Sequence, residues 1–318
     1  MTVQAIDPTA EKEKNHAALT SVIAAVGLTT FKIIVGVLTG SLGILAEAAH
    51  SGLDLVAALV TLFAVKVSGR APDAEHTYGH GKVENFSALI ETLLLLATSA
   101  WIIYEAIQRL FFNPVAVDVS VWAFLVMATS IVIDATRSRV LYRAARKHNS
   151  QALEADALHF STDIWSSSVV ILGLILVKIS EISPQLAFLH SADAVAAMGV
   201  AVIVIFVSMQ LGIRTVQALL DKAPDGSEAK IKEIAESVEG VTDCHQVRVR
   251  PSGPMMFADI HVRLDGTLSV AAAHDKTLLI QKKVRDVYPM MDVSVHTEPI
   301  KPVEVPREKP EQKADGNI

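Results

Sequence analysis

Six apolar stretches occupy the first two thirds of this 318-residue sequence, and they restrict what the chain can fold into. Each is close to the roughly 20 residues that an α-helix needs to cross the hydrocarbon core of a bilayer. Hydrophobic residues make up 51% of the chain and the mean hydropathy is +0.40, although both ends of the chain are polar. The sequence therefore predicts a membrane domain of six helices. The predicted spans are residues 17–39, 42–66, 86–108, 115–134, 153–179 and 193–215.

The chain after residue 215 changes to a mixed polar and apolar pattern that is typical of a soluble domain. Apolar residues recur at helical spacing around Ile231 and around Leu279, and Ser227 is placed as the N-cap of the first of these helices. Alternating apolar residues, such as Val247 with Val249, indicate strands. The predicted order is helix 226–237, strand 245–250, strand 258–264, helix 269–288 and strand 292–296.

Lysine and arginine residues are distributed unevenly between the connections, and such residues are retained on the cytoplasmic side of a membrane. Connections 39–42 and 111–115 carry no basic residue, and the fifth-to-sixth connection carries only Lys178 at its start. Both termini and the soluble domain are therefore predicted to lie in the cytoplasm. The basic connections are the second to third, with Lys66, Arg70 and Lys82, and the fourth to fifth, with Arg137, Arg139, Arg143, Arg146 and Lys147.

These patterns together predict a membrane α-helical fold of six spanning helices with a small cytoplasmic α+β two-layer domain. The N-terminus has no basic stretch before an apolar core, so neither a signal peptide nor a transit peptide is expected. The C-terminal tail is rich in proline and charge, which favours disorder. The predicted segments are a flexible cytoplasmic N-terminus at 1–15, the transmembrane domain at 16–215, a regulatory metal-binding domain at 216–300 and a disordered tail at 301–318.

Charge and cysteine content exclude several classes of protein. The net charge of -6 and the pI near 6.0 argue against binding to nucleic acid, which needs a basic surface. A single cysteine, Cys244, cannot form an internal disulfide or a Cys-x-x-Cys metal site. Any metal chemistry must therefore use histidines and carboxylates.

Two matched stretches place ionisable residues inside or at the edge of predicted spans: AEAAHSGLD at 46–54 and ADALHFSTD at 155–163. Such residues are costly in a bilayer, so a functional role is the first interpretation. Residues four apart lie on one face of a helix. Two imidazole nitrogens and two carboxylate oxygens form the four-coordinate set that zinc favours. The predicted metal site in the membrane is therefore His50, Asp54, His159 and Asp163.

An alternative is that these side chains only join helices through hydrogen bonds. Two matched pairs on two helices favour the metal site. Glu47 and Asp156, three residues before each His, are second choices, as partners of the ligands or as groups near the membrane surface. Snorkelling or pairing between helices explains Lys32, Glu91 and Glu105 at least as well as transport does.

Two further groups of histidines point to metal outside the spans. The loop PDAEHTYGHGKVE offers Asp73, His76 and His80 at offsets of three and four residues. A loop with two histidines is commonly just polar, but a neighbouring membrane site favours binding. The soluble domain is rich in histidine, and these residues must be neutral to bind metal, so occupancy should fall as the pH falls. Its candidate ligands are His245, His261, His274, His296 and Glu298.

The six spans occur together with HSGLD in the second, HFSTD in the fifth, the loop DAEHTYGHGK and the segment RPSGPMMFADIHV. Taken together, these features resemble the cation diffusion facilitator family of metal-ion/proton antiporters. The resemblance covers about residues 17–299. It implies a homodimer in the lipid bilayer that moves divalent metal ions out of the cytoplasm in exchange for protons. It implies that the site in the membrane is the transport site, and it assigns all three candidate sites above to metal. It also pairs Lys82 with Asp221 in a salt bridge across the dimer.

The combined prediction is efflux of a divalent cation, zinc before Co²⁺, Cd²⁺ or Fe²⁺, by proton antiport. The two-His, two-Asp set favours zinc, and the short connection between the fourth and fifth helices favours a bacterial inner membrane. The protein is expected to be a transporter and not an enzyme, since no His-Glu-x-x-His motif accompanies the ligands. The alternative functions are a membrane metal sensor or scaffold with non-transporting sites, or a transporter for iron, cobalt or cadmium.

Overall fold

The computed structural model describes residues 8–112, 121–180 and 192–300. The chain divides into two compact units. The first contains Met1–Pro224 together with Val249–Phe257, and the second contains Asp225–Arg248 together with Ala258–Ile318. The predicted tail at 301–318 lies outside the described residues.

The first unit is a bundle of six long helices. Five of them contain a segment long and apolar enough to cross a membrane, and the remaining one, α5, lies partly among residues whose side chains are not described. The prediction of a helical membrane fold is therefore confirmed. The helices are α1 (Pro8–Thr39), α2 (Leu42–Ser68), α3 (Lys82–Phe111), α4 (Val121–His148), α5 (Gln151–Ser180) and α6 (Ala192–Leu219).

Two of these helices extend much further than the apolar stretches that predicted them. Helix α1 begins at Pro8, so residues 8–15 are helical although the sequence suggested a flexible segment. Helix α4 continues to His148, so the basic residues that the sequence assigned to the connection between the fourth and fifth spans lie on a helix. Hydropathy marks only the apolar part of a helix, whereas the backbone hydrogen bonds continue wherever charged side chains find partners or water.

Small residues allow the helices of the bundle to approach one another closely. One core cluster is built mainly from alanines, and Phe160 and Leu141 fill the space between them. Large apolar side chains such as Leu38 and Leu42 are more than four-fifths exposed, as expected for a surface that faces lipid. The cluster contains Ala17, Ala18, Val65, Leu141, Ala145, Ala152, Leu153, Ala157 and Phe160.

The soluble elements follow the predicted order of helix, strand, strand, helix, strand. Their three strands form one sheet in the order β1-β2-β3, which confirms the α+β prediction. Gly226, at a φ of 75°, is the N-cap of the first helix in place of the predicted Ser227, which is its first helical residue and is buried. The elements are α7 (Ser227–Glu236), β1 (Asp243–Ser252), β2 (Met255–Leu264), α8 (Val270–Val287) and β3 (Met291–Pro299).

The core of the second unit lies where the two helices cover one face of the sheet. Ile260 and Val262 on β2 are fully buried, as are Ile231 on α7 and Ile280 on α8. Alternate residues of β2 point to the opposite face, and His261 is only partly buried there. The sheet thus separates an apolar layer from a face that carries histidines.

Candidate metal centres

Helices α2 and α5 pack against each other and bring three of the four predicted transport residues together. The Nε2 atom of His159 lies 3.1 Å from Oδ1 of Asp54 and 3.7 Å from Oδ2 of Asp163. One ligand atom from each of the three lies within 4.8 Å of the others, so a single cation can contact all three. This cluster contains two carboxylates and one imidazole.

His50 lies at the edge of this cluster. Its Nε2 atom is 3.9 Å from Oδ1 of Asp54, one helical turn away on α2, and its side chain is 45% exposed. Asp54 and His159 are buried at 8% and 6% exposure. His50 therefore borders the cluster through Asp54 but is not one of the three residues that lie within reach of a single ion.

The cluster lies among further charged residues that form their own pairs. Lys32 of α1 is buried and donates hydrogen bonds to Glu47 at 2.9 Å and to the Ser51 hydroxyl at 2.7 Å. On α4, Arg137 donates to Asp134 at 3.2 Å, and both side chains are buried. Glu47 is thus bound to a lysine and is not one of the three residues of the metal cluster.

Sequence reasoning missed the Asp134–Arg137 pair. Arg137 was counted as a charge of the cytoplasmic connection, but it is 5% exposed and its guanidinium lies 3.4 Å from the centre of the Phe160 ring. An Asp and an Arg three residues apart would have predicted a helical ion pair, had the helix been extended beyond residue 134.

The three loop residues form a second cluster. Asp73 lies 3.3 Å from Nδ1 of His76 and 3.3 Å from Nε2 of His80, through different carboxylate oxygens. Backbone N–H groups of His76 and Glu75 donate to Asp73 at 2.6 and 3.0 Å. The His76 N–H bond is the largest cause that lowers the pKa of Asp73. The loop therefore presents a carboxylate that stays ionised at neutral pH beside two imidazoles.

The third cluster lies on the sheet of the second unit and contains His245, His261 and Glu298. Glu298 lies 2.9 Å from Nδ1 of His261 and 3.3 Å from Nε2 of His245. The hydrogen bond from His261 is the largest cause that lowers the pKa of Glu298. Strands β1, β2 and β3 each supply one residue, so the strand pairing sets the geometry of the cluster.

Two predicted histidines of this domain lie outside the three-residue cluster. The ring of His296 is 4.7 Å from that of His261, so it borders the cluster. His274 is exposed on α8 and is not part of any of the three clusters found among the described residues.

Lys82 and Asp221 form an ion pair of 2.9 Å within the first unit of a single chain. The resemblance implied a bridge between two subunits. Asp221 has a φ of 61° and lies just beyond the end of α6. The Lys82 amine also donates to the Leu219 carbonyl at 3.4 Å, so the start of α3 is tied to the end of α6 within the chain.

Family models match both parts of the chain. A model described as the cation efflux transmembrane domain matches residues 18–220, and a model described as the cation efflux protein, cytoplasmic domain, matches residues 223–300. Together they extend over nearly all of the residues that the structure describes.

Curated relatives align over nearly the whole chain. The cation-efflux pump FieF of Salmonella arizonae is 31% identical over 299 residues, which are 92% of this chain and 95% of that protein. FieF of Yersinia enterocolitica is 31% identical over 307 residues, 96% of this chain and 98% of that protein. A solved structure of the zinc form of CzrB, a proposed zinc transporter, matches 27% of this chain and 96% of that chain at 20% identity, with a TM-score of 0.23 that supports no structural conclusion.

Proposed function

The chain belongs to the cation efflux family of membrane transporters, and on that premise we propose that it exports zinc from the cytoplasm in exchange for protons. The observation that carries the proposal is the buried cluster of Asp54, His159 and Asp163, with His50 at its edge. Its ligand atoms come from two helices of the membrane unit that pack against each other.

The donor set supports zinc as the cargo. Two carboxylates match the charge of a divalent ion, which offsets most of the cost of holding that charge in the bilayer. Imidazole nitrogens favour zinc, cobalt and iron over magnesium or calcium, and a four-ligand set favours the tetrahedral geometry of zinc. Cobalt, cadmium and iron ions can enter the same ligands and are the competing substrates.

Shared ligands explain how protons are coupled to metal. Zinc binds the deprotonated forms of His50, His159 and the two carboxylates, and a proton on any of these groups occupies the lone pair that zinc needs. Metal therefore binds when the site opens to a cytoplasm at neutral pH, and protons from the other side displace it after the helices have moved. Because one lone pair cannot hold both ions, exchange is obligatory.

The direction of transport follows from the proposed orientation. Basic residues at the ends of α2 and α4 and at the start of α3 support a cytoplasmic position for those ends, and we propose that both termini lie on the same side. The protein is then an integral protein of a bacterial inner membrane. We propose that it acts as a homodimer, as the cytoplasmic domain of this family suggests.

Metal flux into sealed vesicles tests the proposal. Purified protein in proteoliposomes should carry zinc across the membrane and move protons in the opposite direction, reported by an internal metal indicator and a pH dye. Competition with cobalt, cadmium, iron and manganese ranks the substrates. A protein that binds zinc but carries none would be a sensor or scaffold, and uptake without proton movement would contradict antiport.

We propose that the cluster of His245, His261 and Glu298 senses cytoplasmic zinc. Metal bound there stabilises one arrangement of the dimer and so favours the active state. The donor chemistry fits this role, because two imidazoles and an ionised carboxylate lie within reach of one ion. The position of these residues on three strands couples metal binding to the shape of the sheet.

His261→Ala should raise the zinc concentration needed for half-maximal transport by about 10-fold, the usual scale for perturbing a metal site, while maximal transport changes less than about 2-fold. His274→Ala is the matched control, since His274 lies outside the cluster in the same domain. Proteoliposome flux at graded zinc measures both quantities. An unchanged concentration dependence in His261→Ala would refute the sensor.

A further inference from the structure

Glu91 of α3 is a buried carboxylic acid that the metal cluster does not use. Glu91 is only 1% exposed. Oε1 accepts a hydrogen bond from the Thr61 hydroxyl of α2, and Oε2 is buried without a hydrogen-bond partner. No lysine or arginine among the described residues forms an ion pair with it. An ionised carboxylate is very costly in such a place, whereas a neutral carboxylic acid is not.

Asp156 of α5 is a second acid of the same kind. It is fully buried, Oδ2 accepts from the Ser21 hydroxyl at 3.3 Å, and Oδ1 has no partner. Arg137 donates to the same hydroxyl at 3.2 Å, so its positive charge lies close enough to act on Asp156. Asp156 and Glu91 are close enough for their charges to interact. Two like charges so placed in a low dielectric are not ionised together, so the pair retains a proton.

The charged groups around this pair favour Glu91, and not Asp156, as the residue that keeps the proton. Among the described residues, Arg137 is the largest positive influence on Asp156 and is shared with Asp134. The charge of His159 reaches both acids. Helix α6 packs on α3 but its Arg214 is paired with Glu154 of α5. The charged groups that act on the pair are Asp54 from α2, Arg137 from α4 and His159 from α5.

The two acids do not form another metal site. None of the three ligand clusters found among the described residues contains Glu91 or Asp156. A cation at the transport site nevertheless lies beside His159, whose field reaches both acids. The site therefore acts on the pair by charge and not by coordination.

We propose that Glu91, with Asp156 as its partner, is a proton-binding site inside the bundle that is separate from the metal ligands. When zinc binds, its two positive charges favour ionisation, and the O–H proton of Glu91 passes to water on the side to which the bundle is open. When zinc leaves, the carboxylate takes a proton back. The proposal rests on the proton exchange proposed above and adds a carrier that the metal never touches.

Proton release on zinc binding tests this carrier. Isothermal titration of the full-length protein in detergent, in two buffers of different ionisation enthalpy, gives the protons released per zinc bound. Glu91→Gln, which mimics the neutral acid, should bind the same number of zinc ions and release fewer protons, by up to about one per transport site. Glu105→Gln on the same helix is the matched control and should match the wild type.

Two further variants distinguish failure of the proton carrier from failure of the proposed function. Asp54→Asn should remove zinc binding at the transport site; if it leaves binding unchanged, the proposed function fails and not the carrier alone. If Asp54→Asn loses that binding while Glu91→Gln releases as many protons as the wild type, the carrier is refuted. Thr61→Val removes the hydrogen bond to Glu91 without changing a charge, and it should shift the pH at which this proton is released; an unshifted profile also counts against the carrier.

Discussion

Asp54→Asn is expected to reduce zinc transport by about 100-fold or more, since loss of a ligand exceeds the 10–100-fold effect of removing a partner of one. Asp54 is central to the cluster, because its Oδ1 atom lies 3.1 Å from His159 and 3.9 Å from His50. The amide has nearly the same shape but no negative charge. Two positive charges of zinc would then face Asp163 alone. Flux of zinc into proteoliposomes measures the loss.

Glu47→Gln is the control for this prediction. Glu47 lies on the same helix, seven residues before Asp54, but its carboxylate is bound to Lys32 and is 46% exposed. We expect it to retain most of the transport activity, because no zinc ligand is removed. Equal losses in the two variants would mean that general negative charge, and not coordination, determines transport. Undiminished flux in Asp54→Asn would refute the assigned site.

The sequence predicted helix ends well where local residues mark them. Helix α2 was expected at 42–66 and extends over Leu42–Ser68, because Gly40 turns the chain with a φ of 66° and Ser41 caps the helix by accepting from the Ile44 N–H. Helix α4 was expected to end at 134 and continues to His148. Its second half is rich in arginine, and hydropathy alone cannot distinguish a charged helix from a charged loop.

The candidate site was predictable to the extent that it depends on spacing along one helix. The four-residue offset placed His159 and Asp163 on one face, and the pairing of α2 with α5 could be inferred only from the repeat of the motif. Contacts between helices that are far apart in the sequence could not be predicted from it. Arg137 of α4 meets Ser21 of α1, and nothing in the local sequence indicates a contact across 116 positions. The sequence therefore could not predict which residues lie beside the buried acids.

Another buried ion pair, between Lys14 and Glu84, connects four elements of the bundle. Lys14 of α1 lies 2.6 Å from Oε1 of Glu84 on α3, and the two side chains are 2% and 0% exposed. Ser68, at the end of α2, donates to the same carboxylate at 2.7 Å, and Ser150, just before α5, donates to its other oxygen. Three donors thus bind Glu84, one from α1, one from the end of α2 and one just before α5.

Lys14→Met should destabilise the protein by about 3–5 kcal/mol, because it leaves the Glu84 charge buried without its counter-ion. Unfolding in mixed detergent micelles by added SDS measures the free energy. Lys12→Met, at an exposed position on the same helix, should change it by less than about 0.5 kcal/mol. The double variant Lys14→Met with Glu84→Gln should regain much of the loss, since the uncompensated charge is gone and the two serines keep an acceptor. If Lys14→Met is as stable as Lys12→Met, the Lys14–Glu84 pair contributes no net stability to the protein.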